Sequence, residues 1–584
     1  MVMGGMRRLR GYLGRYWRRY LLGMLFLFST AALIMVIPWW IRAVIRIIEQ
    51  DGPIEDVFFY TIFIVVAAVA QGVTRTFSRF LIFNAGRDIE YDLRNDLFAN
   101  LEKLPLSFYH SQRTGDLMSR VINDISSVRL LLGAGILNLI NAPLYYLFAI
   151  VLMFSMDVRM TLVVILVYPT MIWAFRYFRG KIQQASLKVQ QQMSALSSHV
   201  QENLSGMHVV KAYGREQNQT HLFAELNEEY QRRNMVMARL RGLIAPCMQG
   251  ISGITVLVVL WYGGSRIIAG DLMIADMVAF IAYLNILAWP TAAFGWMLSL
   301  LERGRASMER LEEIFSVEPE IANPPLAHSV PDSQDGIEFR DVWFAYDRRA
   351  NGKAVLKNIT FNLPRGHKLG IVGRTGSGKT TLVQLIPRLY DVSSGEIRIG
   401  GRDIRTLSLS DLRRVVGYVP QDPFLFSTSL RSNLSFGKDE VSSEELQHAI
   451  RVAKLDTEIG IFAQGLDTIV GERGISLSGG QKQRATLARA LVFNSSFLIL
   501  DDCLSSVDAQ TEDGILRAFR DILKEKTCII ISHRISAVRE ADQILVLDEG
   551  EVVEKGDHQA LLRKGGIYAD LFQQQQLSEE LERI

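Results

Sequence analysis

Five stretches in the first half of the chain contain no Asp, Glu, Lys or Arg: Tyr20–Ile41, Val57–Thr74, Leu130–Met156, Leu243–Ser265 and Met277–Leu301. A helix needs roughly 17–25 mostly apolar residues to cross a hydrocarbon core of ~30 Å, and all five reach that length. A sixth run, Met160–Phe175, is shorter; its Tyr168-Pro169 and Trp173 region carries it towards Arg176 and Arg179. So many long runs read as membrane spans, not as buried helices of a soluble core.

The flanks set the orientation. Met1–Tyr20 holds Arg7, Arg8, Arg10, Arg15, Arg18 and Arg19 and no acidic residue, whereas the loop after the first span is acidic (Glu49, Asp51, Glu55, Asp56). Excess Arg before the span places the N-terminus in the cytoplasm. A cleaved signal peptide is not expected, because the run continues into Pro38-Trp39-Trp40 without a small-residue cleavage site. Six spans from that start require three outer loops and two inner ones. Ile47–Asp56, Ser155–Arg159 and Arg266–Asp276 are short, while Arg75–Arg129 and Arg176–Arg241 are long and charged. The inner stretches read as membrane helices prolonged into the cytoplasm.

Composition agrees with a mixed protein. Over 584 residues, 49% are hydrophobic and 21% charged, with a mean hydropathy of +0.15. That is too apolar for a soluble globule of this size and too polar for a chain lying wholly in lipid. A net charge of only +3 argues against a nucleic-acid binder acting by overall charge. The three cysteines, Cys247, Cys503 and Cys528, are scattered and odd in number, which supports neither a disulfide framework nor a zinc site.

Past Arg305 the spans stop. Val317–Gly336, with Pro319, Pro324, Pro325 and Pro331, reads as a linker. Ile337–Ile584 alternates short β-branched runs with helical patterns, as a soluble α/β domain does. The expected division is a transmembrane domain over 1–316, a linker over 317–336 and a soluble α/β domain over 337–584.

Gly373-Arg374-Thr375-Gly376-Ser377-Gly378-Lys379-Thr380 fits GxxxxGK[ST], between an apolar strand (Leu369–Val372) and a helical run (Thr381–Ile386). In such a loop the glycines let backbone N–H groups approach phosphates; Lys379 meets the β- and γ-phosphates and Thr380 ligates Mg²⁺. Phe497–Asp501 is a buried strand ending in a carboxylate, suited to hold Mg²⁺ opposite that loop. Leu477-Ser478-Gly479-Gly480-Gln481 opens a helix and forms a second anion site.

These motifs together resemble an ABC transporter half of the exporter type over essentially the whole chain: a six-helix α-helical transmembrane domain followed by an α/β P-loop ATPase (ABC) domain. The resemblance implies ATP and Mg²⁺ as ligands, with Gly373, Thr375, Gly376, Ser377, Gly378, Lys379, Thr380 and Thr381 around the phosphates. It implies that Tyr346 stacks on adenine and that Gln421, in Tyr418-Val-Pro-Gln421, has a catalytic part, reaching the attacking water as well as Mg²⁺ beside Thr380 and Asp501. It implies that His533 contacts the γ-phosphate, that Ser505–Asp508 crosses a dimer interface and that Ser478, Gly479, Gly480 and Gln481 clamp the nucleotide of a paired chain. Val470–Gly474 resembles a segment that touches the partner's membrane domain. Segments near Ser111–Arg120 and Lys211–Glu216 resemble coupling helices.

One position departs from the family pattern. Hydrolysing members carry Glu directly after the magnesium Asp, and here that place is Asp502. A base must come within ~3 Å of the proton it takes, and a misplacement near 1 Å lowers rate about a hundredfold. The expectation is a site that binds ATP and hydrolyses it poorly. Because the LSGGQ segment is intact, the favoured assembly is a heterodimer, resembling bacterial multidrug exporters with one degenerate and one competent site. A homodimeric exporter of drug, lipid or peptide with Asp502 as working base, and a nucleotide-gated channel or regulatory subunit, are the alternatives.

The cargo is less legible. Gln71, Asn138, Asn141, Gln249, Asn285, Trp289 and Trp296 lie in the spans. Polar groups at that depth face the bundle interior, because lipid offers no hydrogen-bond partners. They suit either helix packing or a cavity for amphipathic small molecules. No span has a central acidic residue, so no dedicated proton path is expected. Pro38, Pro143, Pro169, Pro246 and Pro290 allow the spans to bend. The expected location is the cytoplasmic (inner) membrane, with the lipid bilayer and a second exporter half as partners.

Overall fold

A computed structural model describes residues 2–331, 336–346, 353–471, 477–522 and 526–583. The chain forms two compact units, the first comprising residues 1–102 and 114–317, the second residues 103–113 and 318–584.

The first unit is helical: α1 (Val2–Arg15), α2 (Trp17–Glu49), α3 (Ile54–Leu101), α5 (Thr114–Met156), α6 (Val158–Ser205), α7 (Met207–Ala212), α8 (Glu216–Ile268) and α9 (Ile274–Phe315), with α4 (Leu106–Ser111) grouped in the second unit. Among the described residues, α2, α3, α5, α8 and α9 are long and apolar enough to cross a membrane. The sixth sequence run lies inside α6, where the side chains of Val167, Tyr168 and Pro169 fall outside the described residues. The turns joining α2 to α3, α5 to α6 and α8 to α9 are short, as the outer loops were expected to be. Asp157 alone separates α5 from α6: its carboxylate accepts the Met160 N–H at 2.7 Å, capping α6. At ~1.5 Å per residue, the 48 residues of α3 extend about 72 Å, more than twice the hydrocarbon thickness. The surplus prolongs α3 beyond its apolar stretch into the charged run that follows Arg75.

Helix packing follows the small residues. A Cβ at Gly23 would lie 2.7 Å from Ile82, so α2 and α3 approach closely there. The buried Tyr283 hydroxyl of α9 donates to the Met35 carbonyl of α2 at 2.9 Å. Pro38, Pro143, Pro246 and Pro290 all sit inside helices. Two turns of α5, Arg120–Asp124 and Leu131–Gly135, are π-helical, a widening that re-aims side chains. The first ends at the buried Asp124, which accepts from Ser307 Oγ at 2.8 Å and Arg310 Nε at 2.9 Å on α9. That pairing satisfies a carboxylate which burial alone would penalise.

The second unit holds two sheets. The antiparallel one runs β2 (Leu356–Leu363), β1 (Ile337–Phe344), β4 (Ser394–Ile399), β5 (Arg402–Asp403). The other runs β10 (Glu551–Gly556), β9 (Gln543–Asp548), β3 (Lys368–Gly373), β8 (Thr527–Ile531), β7 (Phe497–Asp501), β6 (Val416–Val419). Neighbours from β9 through β6 are parallel. Parallel strands covered on both faces read as continuous apolar runs, and every residue of β7 and β8 is buried. Helices α10 (Lys379–Gln384), α11 (Gly479–Phe493), α12 (Ala509–Ile522) and α13 (Ile567–Arg583) follow in chain order. In α13 the Ile567 and Tyr568 N–H groups donate to the Glu554 carboxylate, and the Tyr568 side chain is fully buried.

Candidate nucleotide site

Ligands of open α/β sheets bind beyond the carboxyl ends of the strands. Register brings four motifs to that edge. Asp501 at the end of β7 pairs with Ile531 at the end of β8, and Ile371 of β3 also lies opposite Ile531. On the far side Val419 of β6 pairs with Leu500. The P-loop, the Asp501-Asp502 pair, Gln421 and His533 therefore leave adjacent strands side by side.

The P-loop needs its glycines. Gly373 has φ +150° and Gly378 φ +99°, and a Cβ would meet the Leu547 carbonyl at 2.1 Å or Leu356 at 2.9 Å. Only glycine fits both positions. Lys379 is 6% exposed; its ammonium donates to the Gly373 and Arg374 carbonyls, each at 2.8 Å. Burial lowers its pKa, and the nearby Asp502 and Asp501 carboxylates oppose that shift. Ser377 Oγ is buried with no hydrogen-bond partner among the described residues. An orphaned hydroxyl in a glycine-rich loop of this kind suits a phosphate oxygen. Thr375 and Gly376 form the exposed rim of the loop.

Asp501 is fully buried. It accepts from Thr380 Oγ1 at 3.1 Å on one oxygen and from the Tyr418 hydroxyl at 3.1 Å on the other. Burial raises its pKa, against those two hydrogen bonds. A hydroxyl and a carboxylate converging beside the phosphate cradle form an oxygen donor set of the kind Mg²⁺ takes. Gln421 stands exposed two residues past β6. Tyr346 is half exposed; its hydroxyl shares a 2.9 Å hydrogen bond with Thr381 Oγ1, and its ring packs edge-on against Phe344 and Tyr390.

Asp502 adopts φ +46° and is 8% exposed. Its N–H donates to the Ile531 carbonyl at 2.9 Å, while one carboxylate oxygen accepts the His533 N–H at 3.4 Å. The other oxygen lies 4.0 Å from His533 Nε2. The carboxylate is thus directed at its own β8 loop. The LSGGQ segment opens α11 with a reciprocal cap: Ser478 Oγ accepts the Gln481 N–H at 3.2 Å, and Gln481 Oε1 accepts the Ser478 N–H at 2.9 Å. A Cβ at Gly480 would sit 2.8 Å from the Ser506 carbonyl, so glycine lets the Ser505–Asp508 loop lie against this helix start. In the Val470–Gly474 segment, Glu472, Arg473 and Gly474 lie outside the described residues.

Comparison with known proteins now decides the family. The ABC transporter transmembrane region family matches residues 20–291, and the ABC transporter family matches residues 356–505. The chain is 34% identical over 574 residues to the probable multidrug resistance ABC transporter ATP-binding/permease protein YheI of Bacillus subtilis (strain 168), covering 98% of each. It belongs to the ABC transporters. It is also 34% identical to the multidrug resistance-like ATP-binding protein MdlA of Escherichia coli (strain K12), over 98% of this chain and 97% of that one. Identity to the ATP-dependent lipid A-core flippase of Syntrophus aciditrophicus (strain SB) is 32%, over 97% and 94% of the two chains. The structure of a bacterial Atm1-family ABC exporter with ATP bound superposes with a TM-score of 0.79 at 27% identity, over 96% of this chain and 99% of that chain. This is an exporter half, with a helical membrane domain fused to an ATPase domain that couples hydrolysis to transport in the cytoplasmic membrane. Halves of this kind dimerise.

Two positions in the exporter's ATPase unit escape motif reading. Gln483, 3% exposed on α11, donates to Ser505 Oγ at 3.0 Å and accepts the Ser506 N–H at 2.9 Å, tying the LSGGQ helix to the Ser505–Asp508 loop. Gln575 on α13 accepts the Ile535 N–H at 2.8 Å and donates to the His533 carbonyl, clamping the backbone around the histidine. Gln483 follows LSGGQ by two residues, a usable signal. Nothing in the Gln573–Gln576 run marks which glutamine faces the site.

Of the polar span residues, Asn138, Asn141, Asn285 and Trp289 line one cavity in the membrane unit. Gln71, Gln249 and Trp296 do not line it.

Proposed function

We propose that the chain is one half of a heterodimeric exporter that drives amphipathic or hydrophobic small molecules out across the cytoplasmic membrane, with domains at 1–316, 317–336 and 337–584 and six spans. Its own P-loop site binds ATP and hydrolyses it slowly; the partner's P-loop, completed by Ser478–Gln481 of this chain, carries most of the turnover. The observation that carries this reading is Asp502, a short carboxylate whose oxygens face the His533 N–H and imidazole. A base held there is one methylene short of the place that a glutamate carboxylate would occupy.

In the nucleotide-bound site, Lys379 and the Gly373–Gly378 amides hold the phosphates, and Ser377 Oγ gains the partner it lacks. Tyr346 offers the free face of its ring to adenine. Thr380, Asp501 and Gln421 would hold Mg²⁺, which when bound neutralises charge between the β- and γ-phosphates. His533 reaches towards the γ-phosphate. The multidrug names of the B. subtilis and E. coli relatives support an amphipathic cargo. The test is purification of the chain from its native membrane followed by native mass spectrometry and ATP-driven dye uptake into inverted vesicles. A complex with a second, non-identical ABC half supports the assignment. A homodimer that pumps at an ordinary rate overturns it.

A further inference from the structure

A cavity of about 290 Å³ lies among α2, α3, α5 and α9, and its lining mixes two arginines with apolar and polar side chains. Arg75 and Arg79, one helical turn apart on α3, both line it, and Asn138, Asn141, Asn285, Tyr145, Thr30 and Ser78 add polar groups. Several other arginines of this unit are paired, among them Arg42 with Asp276, Arg129 with Glu90, Arg266 with Asp157 and Arg310 with Asp124. Among the described residues no carboxylate pairs with Arg75 or Arg79, and the two guanidinium groups share one lining. Two like charges side by side repel each other, and a cavity that keeps both is complementary to an anion. Asn141 Oδ1 is buried without a partner among the described residues, so it takes an O–H or N–H from a ligand or water.

Depth adds a second constraint. Arg75 lies about 32 Å along α3 from Ile54, at ~1.5 Å per residue, which puts the pair at the inner boundary of a ~30 Å core. Leu137 and Trp289 line the same cavity, and an adjoining pocket adds Phe294 and Met297. Cationic groups at headgroup depth beside an apolar wall match a molecule with one anionic end and one apolar end.

We propose that this cavity is a docking subsite for an anionic amphiphile of the inner leaflet, its phosphate or carboxylate held by Arg75 and Arg79 and its tail lying against Leu137 and Trp289. The inference rests on the exporter reading for its use in transport, but binding itself is independent of ATP. The test uses the full chain in nanodiscs of zwitterionic lipid without nucleotide, titrated with bromine-labelled dodecyl phosphate or the matching dodecyltrimethylammonium. Saturable quenching that is lost in Trp289→Phe reports occupancy. The phosphate is expected to bind at least tenfold more tightly than the ammonium. Arg75→Gln/Arg79→Gln should abolish that preference, and Arg75→Glu/Arg79→Glu should invert it. Should the doubly substituted chains misfold, Arg79→Gln alone is expected to lower phosphate affinity severalfold. Equal binding of the two probes overturns the proposal, as does a preference unchanged in Arg79→Gln, which would leave the arginines as anchors to the membrane surface. Anion preference without ATP-driven transport of the probe by the assembled exporter would refute the use of the subsite for cargo and leave the subsite itself standing.

Discussion

Asp502→Glu tests the site at its weakest point. The carboxylate now sits with one oxygen 3.4 Å from the His533 N–H and the other 4.0 Å from its Nε2. One added methylene extends the reach by roughly one bond length, about 1.5 Å, comparable with the ~1 Å misplacement that costs about a hundredfold in rate. A gain of about 10- to 100-fold in kcat is therefore expected, equivalent to about 1.4–2.7 kcal/mol of barrier. The same change has a structural cost. Position 502 has φ +46°, a left-handed conformation in which the short Asp side chain is well tolerated and longer side chains are less so. A loss of up to about 1 kcal/mol in stability should accompany the gain in rate. The assay is steady-state ATPase of the purified chain in nanodiscs beside Asp502→Glu and Asp502→Ala, with thermal unfolding of each. Wild-type and Asp502→Ala rates within a factor of about three, with Asp502→Glu far above both, is the expected pattern. Equal rates for wild type and Asp502→Glu, with Asp502→Ala at least tenfold below, would refute the reasoning and make Asp502 a competent base.

Replacing Gln483 by Leu leaves the Ser506 N–H without its acceptor, and a loss of about 1–3 kcal/mol is expected by thermal unfolding, with nucleotide affinity unchanged. Arg310→Ala strips the main partner from the buried Asp124; a destabilisation of about 2–3 kcal/mol is expected, with Asp124→Asn/Arg310→Ala recovering much of it in a double-mutant cycle. Burial lowers the Lys379 pKa, so its folded-state value lies below the unfolded one and the neutral form is favoured as pH rises. Nucleotide phosphates reverse this, so ATP binding should take up protons in the window between the lowered pKa and the ordinary lysine value. Calorimetry in buffers of different ionisation enthalpy at alkaline pH reads that uptake, and Lys379→Arg should remove it.

The nucleotide site was legible because its chemistry is local in sequence. A loop that must bring amides to phosphates needs glycines at fixed spacing, and Gly373 and Gly378 occupy the two positions where a side chain would strike backbone or Leu356. Strands buried on both faces announce themselves as apolar runs, so the ends of β7 and β8, and with them Asp501 and His533, could be placed before any register was known. The spans were legible for a comparable reason: lipid permits no charge over ~20 residues. The short outer turns then followed from counting. The coupling segment near Ser111–Arg120 came from resemblance to the family and not from spacing; residues 103–113, just before it, group with the second unit.

What stayed hidden depends on contacts between residues far apart in the chain. Asn138, Asn141 and Asn285 read individually as polar residues in lipid, equally suited to helix packing. Their meaning changes when α3 supplies Arg75 and Arg79 to the same cavity, and no periodicity in α3 foretells that, because both arginines stand just beyond an uncharged run where the positive-inside pattern already explains a cation. Gln575 is hidden for the same reason. Its amide matches the backbone of His533 and Ile535 only because α13 docks through Tyr568 and the Glu554 cap. Both cases show side chains that complete a site by arriving from a distant element, and both place the control of that site outside its motifs. Variation at Gln575 or at Arg79 would alter nucleotide contact or cargo choice while leaving the P-loop, LSGGQ and Asp501 intact.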